Sequence, residues 1–305
     1  MSIKILPHDT HLSDDDSTGN EAQWSSGPCA GLEHRFELVT PKDADFIHVL
    51  SPLVRPFRAP QSGAGGVTKY VIRRGSERPY VLHADEELIA TGTSARDFAK
   101  PLTWIINQNV ISASRERYVL MHAAGVQLTG VTVILPADME SGKTTTTAGL
   151  LREGYDYITD EAVAICPETG CVHPFPKTLS VDPGSWSLFP ELRRAHEAPR
   201  SRQWHVPPQH LGARAVTGPV ERPRLIVFPR YVRGAETALQ PMRPAAALLE
   251  LCRMTFGFPD AARRNLHVLG DMVRYADSVR LIIGNLDDAI REIDNLVSNA
   301  ILEDL

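Results

Sequence analysis

The sequence predicts an α/β fold, with a strand–loop–helix core preceded by a small β-rich N-terminal subdomain. Three observations predict it. From YVLMHAAGVQL through TVILP, a glycine–lysine loop, TTTAGLLREG and YITDEAVAIC, strand and helix patterns alternate over about fifty residues. Upstream, short β-branched runs dominate from about His34 to Arg96. The 305 residues, 43% hydrophobic and 23% charged, suffice to bury a sizeable core. The expected division is a disordered acidic tail over 1–34, the β-rich subdomain over 35–116 and the core domain over 117–305.

The tail is expected because residues 9 to 34 are polar and poor in hydrophobics, so burial cannot offset the entropy of ordering them. In the subdomain VTKYVIRR alternates, PYVLHA follows the charged turn RGSER, and ELIATG follows the acidic turn DEE. These runs predict a small antiparallel sheet, with the Pro- and Gly-rich stretch PLVRPFRAPQSGAGG as a loop. A helix is predicted over Asp97 to Ile111, with Trp104, Ile105 and Val110 near one face and Pro101 in its first turn or breaking it. Beyond the core, TLSVD and RLIVFPRYV read as strands, and PAAALLELCRM and LDDAIREIDNLVSNAIL as helices. In the last helix Leu286, Ile290, Ile293, Leu296, Val297 and Ile301 form one stripe, and Asn285 can cap its start.

Charge and composition narrow the functional classes. One lysine opposes five acids in the first thirty residues, which places −4 of the net −5 there and leaves a nearly neutral body. A basic nucleic-acid surface is therefore not expected. No run approaches the ~18 apolar residues of a membrane span, and the acidic start does not read as a signal peptide, so a cytoplasmic protein is expected. Four cysteines make no disulfide framework, and Cys166-Pro-Glu-Thr-Gly-Cys171 reads as a hairpin turn because no second ligand pair stands at zinc spacing.

The chemistry-bearing motif runs Ala137-Asp138-Met139-Glu140-Ser141-Gly142-Lys143-Thr144, with Thr145 next. It matches the phosphate-loop pattern G-x-x-x-x-G-K-[ST], with alanine at the first position. Backbone N–H groups of such a loop wrap a phosphate, and a glycine at position 142 permits the close approach. Lys143 reaches the β/γ oxygens, and the Thr144 hydroxyl takes a place on Mg²⁺. The apolar strand VTVIL runs in and the helix-like TTTTAGLLREG runs out. Alanine at 137 requires a backbone geometry that an L-residue tolerates.

Seventeen residues past Lys143 stands Asp160-Glu161, at the end of the apolar run YDYIT. A strand end beside the phosphate strand is where α/β folds place catalytic and metal groups. Adjacent acids on an extended chain point to opposite sides, so one faces the Mg²⁺–phosphate site and the other an incoming hydroxyl. Which of the two is the base stays open. His122, in MHAAG, reads by itself as a hydrogen-bonded core residue. Lys177 and Arg230 read equally as groups reaching toward phosphate or substrate and as surface cations at strand ends, and neither is assigned a role.

His122, the loop lysine twenty-one residues on and the acidic pair beyond it resemble the HPr serine kinase/phosphorylase family. The resemblance is clearest over residues 118 to 167. It implies a phosphate-loop α/β domain related to phosphoenolpyruvate carboxykinase that transfers phosphate from ATP to a serine-type hydroxyl. Carried over, His122 and Lys143 are active-site groups, Thr144 binds Mg²⁺ with Asp160 beside it, and Glu161 is the proton acceptor. The chain departs from the family in its Asp-Glu pair, in Ala137 and in lacking an E-I-R-G segment. It therefore looks more like the divergent HPr-kinase-related group, whose acceptors are small-molecule or peptide hydroxyls. The resemblance also implies self-association into a homo-oligomer. The rival expectations are an ATP-binding regulatory or scaffold protein, and an ATPase that drives a partner.

Overall fold

The computed structural model describes residues 22–59, 66–75, 79–193 and 203–303. The expected tail lies outside these as far as residue 21. Its remainder is not tail-like, because Gln23–Ser25 (β1) and Cys29–Gly31 (β2) both pair antiparallel with His34–Pro41 (β3). Among the described residues no helix is long and apolar enough to cross a membrane. The chain divides into two compact units, Met1–Val110 and Ile111–Leu305.

The first unit is a six-stranded sheet whose main path runs β1-β3-β4-β5-β6, with Thr68–Arg73 (β4), Tyr80–Ala84 (β5) and Glu87–Gly92 (β6) where the alternating runs predict them. It is not wholly antiparallel. β3 and β4 run parallel, which requires a crossover, and the helix Ala44–Val54 (α1) supplies one. The sequence reading assigns part of this helix to a Pro-rich loop. The helix holds because Asp43 caps it, its carboxylate accepting from Asp45 N–H at 2.8 Å, and because Phe46, Leu50, Leu53 and Val54 bury one face despite Pro52.

The next helix, Ala95–Ser114 (α2), runs past both expected ends and straight through Pro101. Its buried stripe is Phe98, Leu102, Ile106 and Val110, whereas Trp104 is 46% exposed. The expected apolar face is therefore displaced around the helix. The stripe's repeated four-residue spacing outweighs the one backbone hydrogen bond that proline deletes.

In the second unit an eight-stranded sheet has the order β11-β10-β7-β8-β14-β16-β15, with β9 also on β7. Its members are Val119–Leu128 (β7), Val131–Pro136 (β8), Asp156–Thr159 (β9), Ala162–Ile165 (β10), Val172–His173 (β11), Leu225–Tyr231 (β14), Ala238–Pro241 (β15) and Asp277–Ile283 (β16). Leu179–Val181 (β12) and Trp204–Val206 (β13) form a separate antiparallel pair. Strands β8, β14 and β16 are parallel neighbours, while β7 and β15 run antiparallel to this trio.

Helices cover both faces of this sheet, as a mixed α/β architecture requires. Val133 and Leu135 of β8 enter one core with Ala148, Leu150 and Leu151 of Lys143–Arg152 (α3) and with Leu286, Ile290, Ile293 and Val297 of Leu286–Glu303 (α6). Ile134, between them, enters the opposite core with Ala247 and Leu251 of Pro244–Met254 (α4) and with Val268, Leu269 and Met272 of Ala262–Tyr275 (α5). The period-two alternation of one strand thus feeds two helical layers. The sequence reading omits α5, whose buried face includes the polar Asn265 and whose exposed face carries Leu266.

The predicted α6 stripe is packed as expected. Leu296 and Ile301 are partly buried at its margin, and the Asn285 side chain accepts from Asp288 N–H at 2.8 Å. Two close approaches fix neighbouring elements. A Cβ on Gly149 of α3 would lie 2.9 Å from Ile290 Cδ1 and 3.1 Å from Leu286 Cδ1. A Cβ on Gly284 would lie 1.8 Å from the Ala235 carbonyl oxygen.

Candidate active site

The 137–142 loop joins β8 to α3, as the motif's context predicts. Ala137 is buried, and its N–H donates to the His122 carbonyl at 3.4 Å across the β7–β8 pair. Its φ is not positive, so alanine is compatible with this position. The left-handed conformations fall later, at Glu140 with φ +63° and at Gly142 with φ +91°. Gly142 is the N-cap residue of α3, where a side chain would be strained.

The Ser141 hydroxyl donates to the Asp138 carbonyl at 2.8 Å, and the Ser141 carbonyl accepts from Tyr231 N–H at 2.9 Å. The end of β14 therefore props the loop. Met139 stands at its tip, 85% exposed. No side chain caps α3. The first-turn amides of Lys143, Thr144 and Thr145 consequently carry the helix's positive end without an intrahelical partner.

Strand β7, helix α3, the bend after β9 and the segment before β12 bring ionisable side chains to this helix start. Lys143 is 6% exposed, and its Nζ lies 2.7 Å from Nε2 of His122 on β7. The ammonium donates and the imidazole accepts, so the neutral ring carries its proton on Nδ1. Burial, then the Lys143 charge, holds His122 below the usual imidazole range. Burial likewise lowers Lys143, against the opposing pull of Asp160 and Glu161. The Thr144 hydroxyl donates to Asp160 at 3.1 Å. Burial raises Asp160, while Lys177 and then Lys143 pull it back. Thr145 Oγ1 bonds Ser185 Oγ in the 3-10 turn Pro183–Leu188, whose Trp186 stacks on Trp204.

Two expectations about the acidic pair need correction. Strand β9, which delivers it, neighbours β7 and not the loop-bearing β8. The acids also do not point to opposite sides. The chain bends after β9, with the Thr159 hydroxyl accepting from Glu161 N–H at 3.2 Å, so strand alternation does not apply. Both carboxylates turn toward one cation, Lys177, at 3.7 Å from Asp160 and 3.6 Å from Glu161.

Lys177 is the residue that the sequence reading leaves without a role. Its signal is present in VHPFPKTLSV, a lone lysine between the buried Phe175 and Leu179. A lysine in such a run is buried only with a partner. Arg230 remains exposed near the end of β14. The cysteine turn is as expected, closed by Cys166 N–H to the Cys171 carbonyl at 3.0 Å and Gly170 N–H to the Cys166 carbonyl at 2.8 Å.

This geometry defines a mixed α/β protein with a partly buried lysine–histidine pair and a carboxylate–threonine pair at an uncapped helix start. No family model matches the chain, and no curated protein matches it. Among solved structures, the Hpr(Ser) kinase/phosphatase from Coxiella burnetii is similar over 60% of this chain and 97% of its own, at 11% identity and a TM-score of 0.32.

Proposed function

We propose that the chain is an ATP- and Mg²⁺-dependent kinase that phosphorylates a hydroxyl acceptor, a small molecule or a peptide. The observation that carries this reading is the convergence of Lys143, His122, Thr144 and Asp160 at the open start of α3. Uncapped amides and a buried ammonium suit a polyphosphate, and a threonine hydroxyl facing a carboxylate is an oxygen donor set suited to Mg²⁺. Thr144 and Asp160 would hold the metal, which would neutralise charge on the phosphate oxygens.

The chain's own groups divide the remaining work. Lys143 and the loop amides bind and orient the phosphates, and His122 fixes Lys143 from the β7 side. Glu161 serves as the base and Asp160 does not. The Glu161 side chain is 26% exposed, whereas that of Asp160 is 2% exposed and bonded to Thr144. Glu161 takes the acceptor's hydroxyl proton, the acceptor oxygen forms its bond to the γ-phosphorus, and the bond to the ADP oxygen breaks. Catalysis in this scheme is mainly positioning and electrostatics.

The test is mass spectrometry after incubation with Mg-ATP and a panel of free serine, other small hydroxyl compounds and serine-containing peptides. One acceptor is expected to gain about 80 Da, the mass of a phosphoryl group. Lys143→Met is expected to lower that yield by at least about 100-fold. Unchanged yield in Lys143→Met would overturn the assignment. ATP-dependent stabilisation with no product from any acceptor would establish the regulatory reading in its place.

A further inference from the structure

Lys177 is buried to a degree that demands an explanation, with 4% of its side chain exposed. The backbone fixes its position. The Lys177 ammonium donates to the Thr178 carbonyl at 3.1 Å, and its own carbonyl accepts the Tyr157 hydroxyl of β9 at 2.8 Å. Its N–H donates to the Phe175 carbonyl at 3.0 Å. The ammonium thereby stands almost equally far from the two acids, at 3.7 and 3.6 Å, beyond hydrogen-bond range of both. It attracts both carboxylates by charge and commits to neither.

We propose that Lys177 is a built-in counter-cation of the Asp160–Glu161 pair, which keeps a divalent ion out of the site unless nucleotide phosphate arrives with it. The inference rests on the reading of Thr144 and Asp160 as metal ligands. With His122 neutral, the ammonium groups of Lys143 and Lys177 compensate the Asp160 and Glu161 carboxylates, and Asp138 of the loop adds a further pull on Lys143. A divalent ion entering alone gains carboxylates that are already compensated and meets two like charges. One entering with a polyphosphate brings its own compensation. Taking a charge out of water needs this kind of local balance.

The test measures Mn²⁺ binding to the full chain without nucleotide, by electron paramagnetic resonance of the free ion, together with thermal melts with and without Mn²⁺. Lys177→Gln removes the charge and keeps an amide donor for Thr178. It is expected to bind Mn²⁺ at least about tenfold more tightly than the wild type, since one unit charge within ~4 Å of the pair is gone. Its melting midpoint is expected to rise with Mn²⁺, while the wild type's stays still. Lys177→Arg, with its charge kept, is expected to behave as the wild type does. Adding Asp160→Asn to Lys177→Gln is expected to abolish the gain.

Equal Mn²⁺ affinity in the wild type and Lys177→Gln overturns the proposal, as does a gain that survives Asp160→Asn. If Lys177→Gln folds only with metal present, Mn²⁺ has replaced the ammonium and the proposal holds; if Mn²⁺ does not restore folding, it fails. None of these readouts uses ATP. A chain that transfers no phosphate but shows the Lys177→Gln gain retains the counter-cation and loses the kinase reading.

Discussion

Burial of His122 beside Lys143 ties part of this protein's stability to the acid side. Burial holds folded His122 below the free value of 6.5, so the unfolded chain takes up the proton first as pH falls. The His122 contribution to stability is full above pH 6.5 and declines as pH drops toward the folded value. Buried His34 in the first unit is shifted the same way. His122→Gln is therefore expected to flatten the fall in urea midpoint between pH 8 and pH 5, but only in part. An unchanged slope would mean that His122 is not held neutral. The loop 137–145 is legible in the sequence because spacing along the chain fixes a strand–loop–helix turn, whereas His122 by itself reads as a core residue and joins the site only through the family resemblance. Lys177 is legible only in part: Phe175 and Leu179 flank it in the sequence, but Tyr157, Asp160 and Glu161, which meet it in space, stand sixteen to twenty residues upstream, around the bend after β9. The same bend defeats the alternation argument for Glu161, because a local rule applies only while the strand continues.

At the scale of elements, the loop's orientation depends on how α3 lies against α6, and Gly149 sets that approach. Gly149→Val is expected to destabilise the chain by about 1–3 kcal/mol, the usual cost of overpacking, measured by urea denaturation. A neutral result would show that Ile290 and Leu286 can move aside. Elements with a single strong period were legible: β4, β5, β6, β8 and α6. Of those missed, β16 alternates cleanly, with Val279, Leu281 and Ile283 buried, while the others carry mixed signals. Part of α1 shares its sequence with a Pro-rich stretch, and α5 buries Asn265 while exposing Leu266. Strands β1 and β2 are three residues each, too short to show a period, and exist because β3 offers them an edge.

At the scale of the whole molecule, the second unit contains both helix-covered cores and every residue of the candidate site. A fragment of residues 115–305 is expected to melt cooperatively. It is also expected to show the same ATP-induced rise in melting midpoint as the full chain, about 2.7 kcal/mol of stabilisation at a hundredfold excess over Kd. A fragment that melts without cooperativity, or without the ATP shift, would show that the first unit is needed to complete the site. The α/β character was legible in outline, because strand and helix patterns alternate over about fifty residues. The antiparallel flank at β15 was not, since it pairs with β16 some forty residues on and leaves no local mark, whereas β7 is tied to β8 by the two-residue turn Thr129-Gly130. Gly284 bears on how this architecture can evolve. With the Ala235 carbonyl where its side chain would begin, position 284 is closed to every other amino acid unless the 235–237 segment shifts with it. Sequence drift there must be concerted, so this glycine ties two stretches of the chain into one heritable unit.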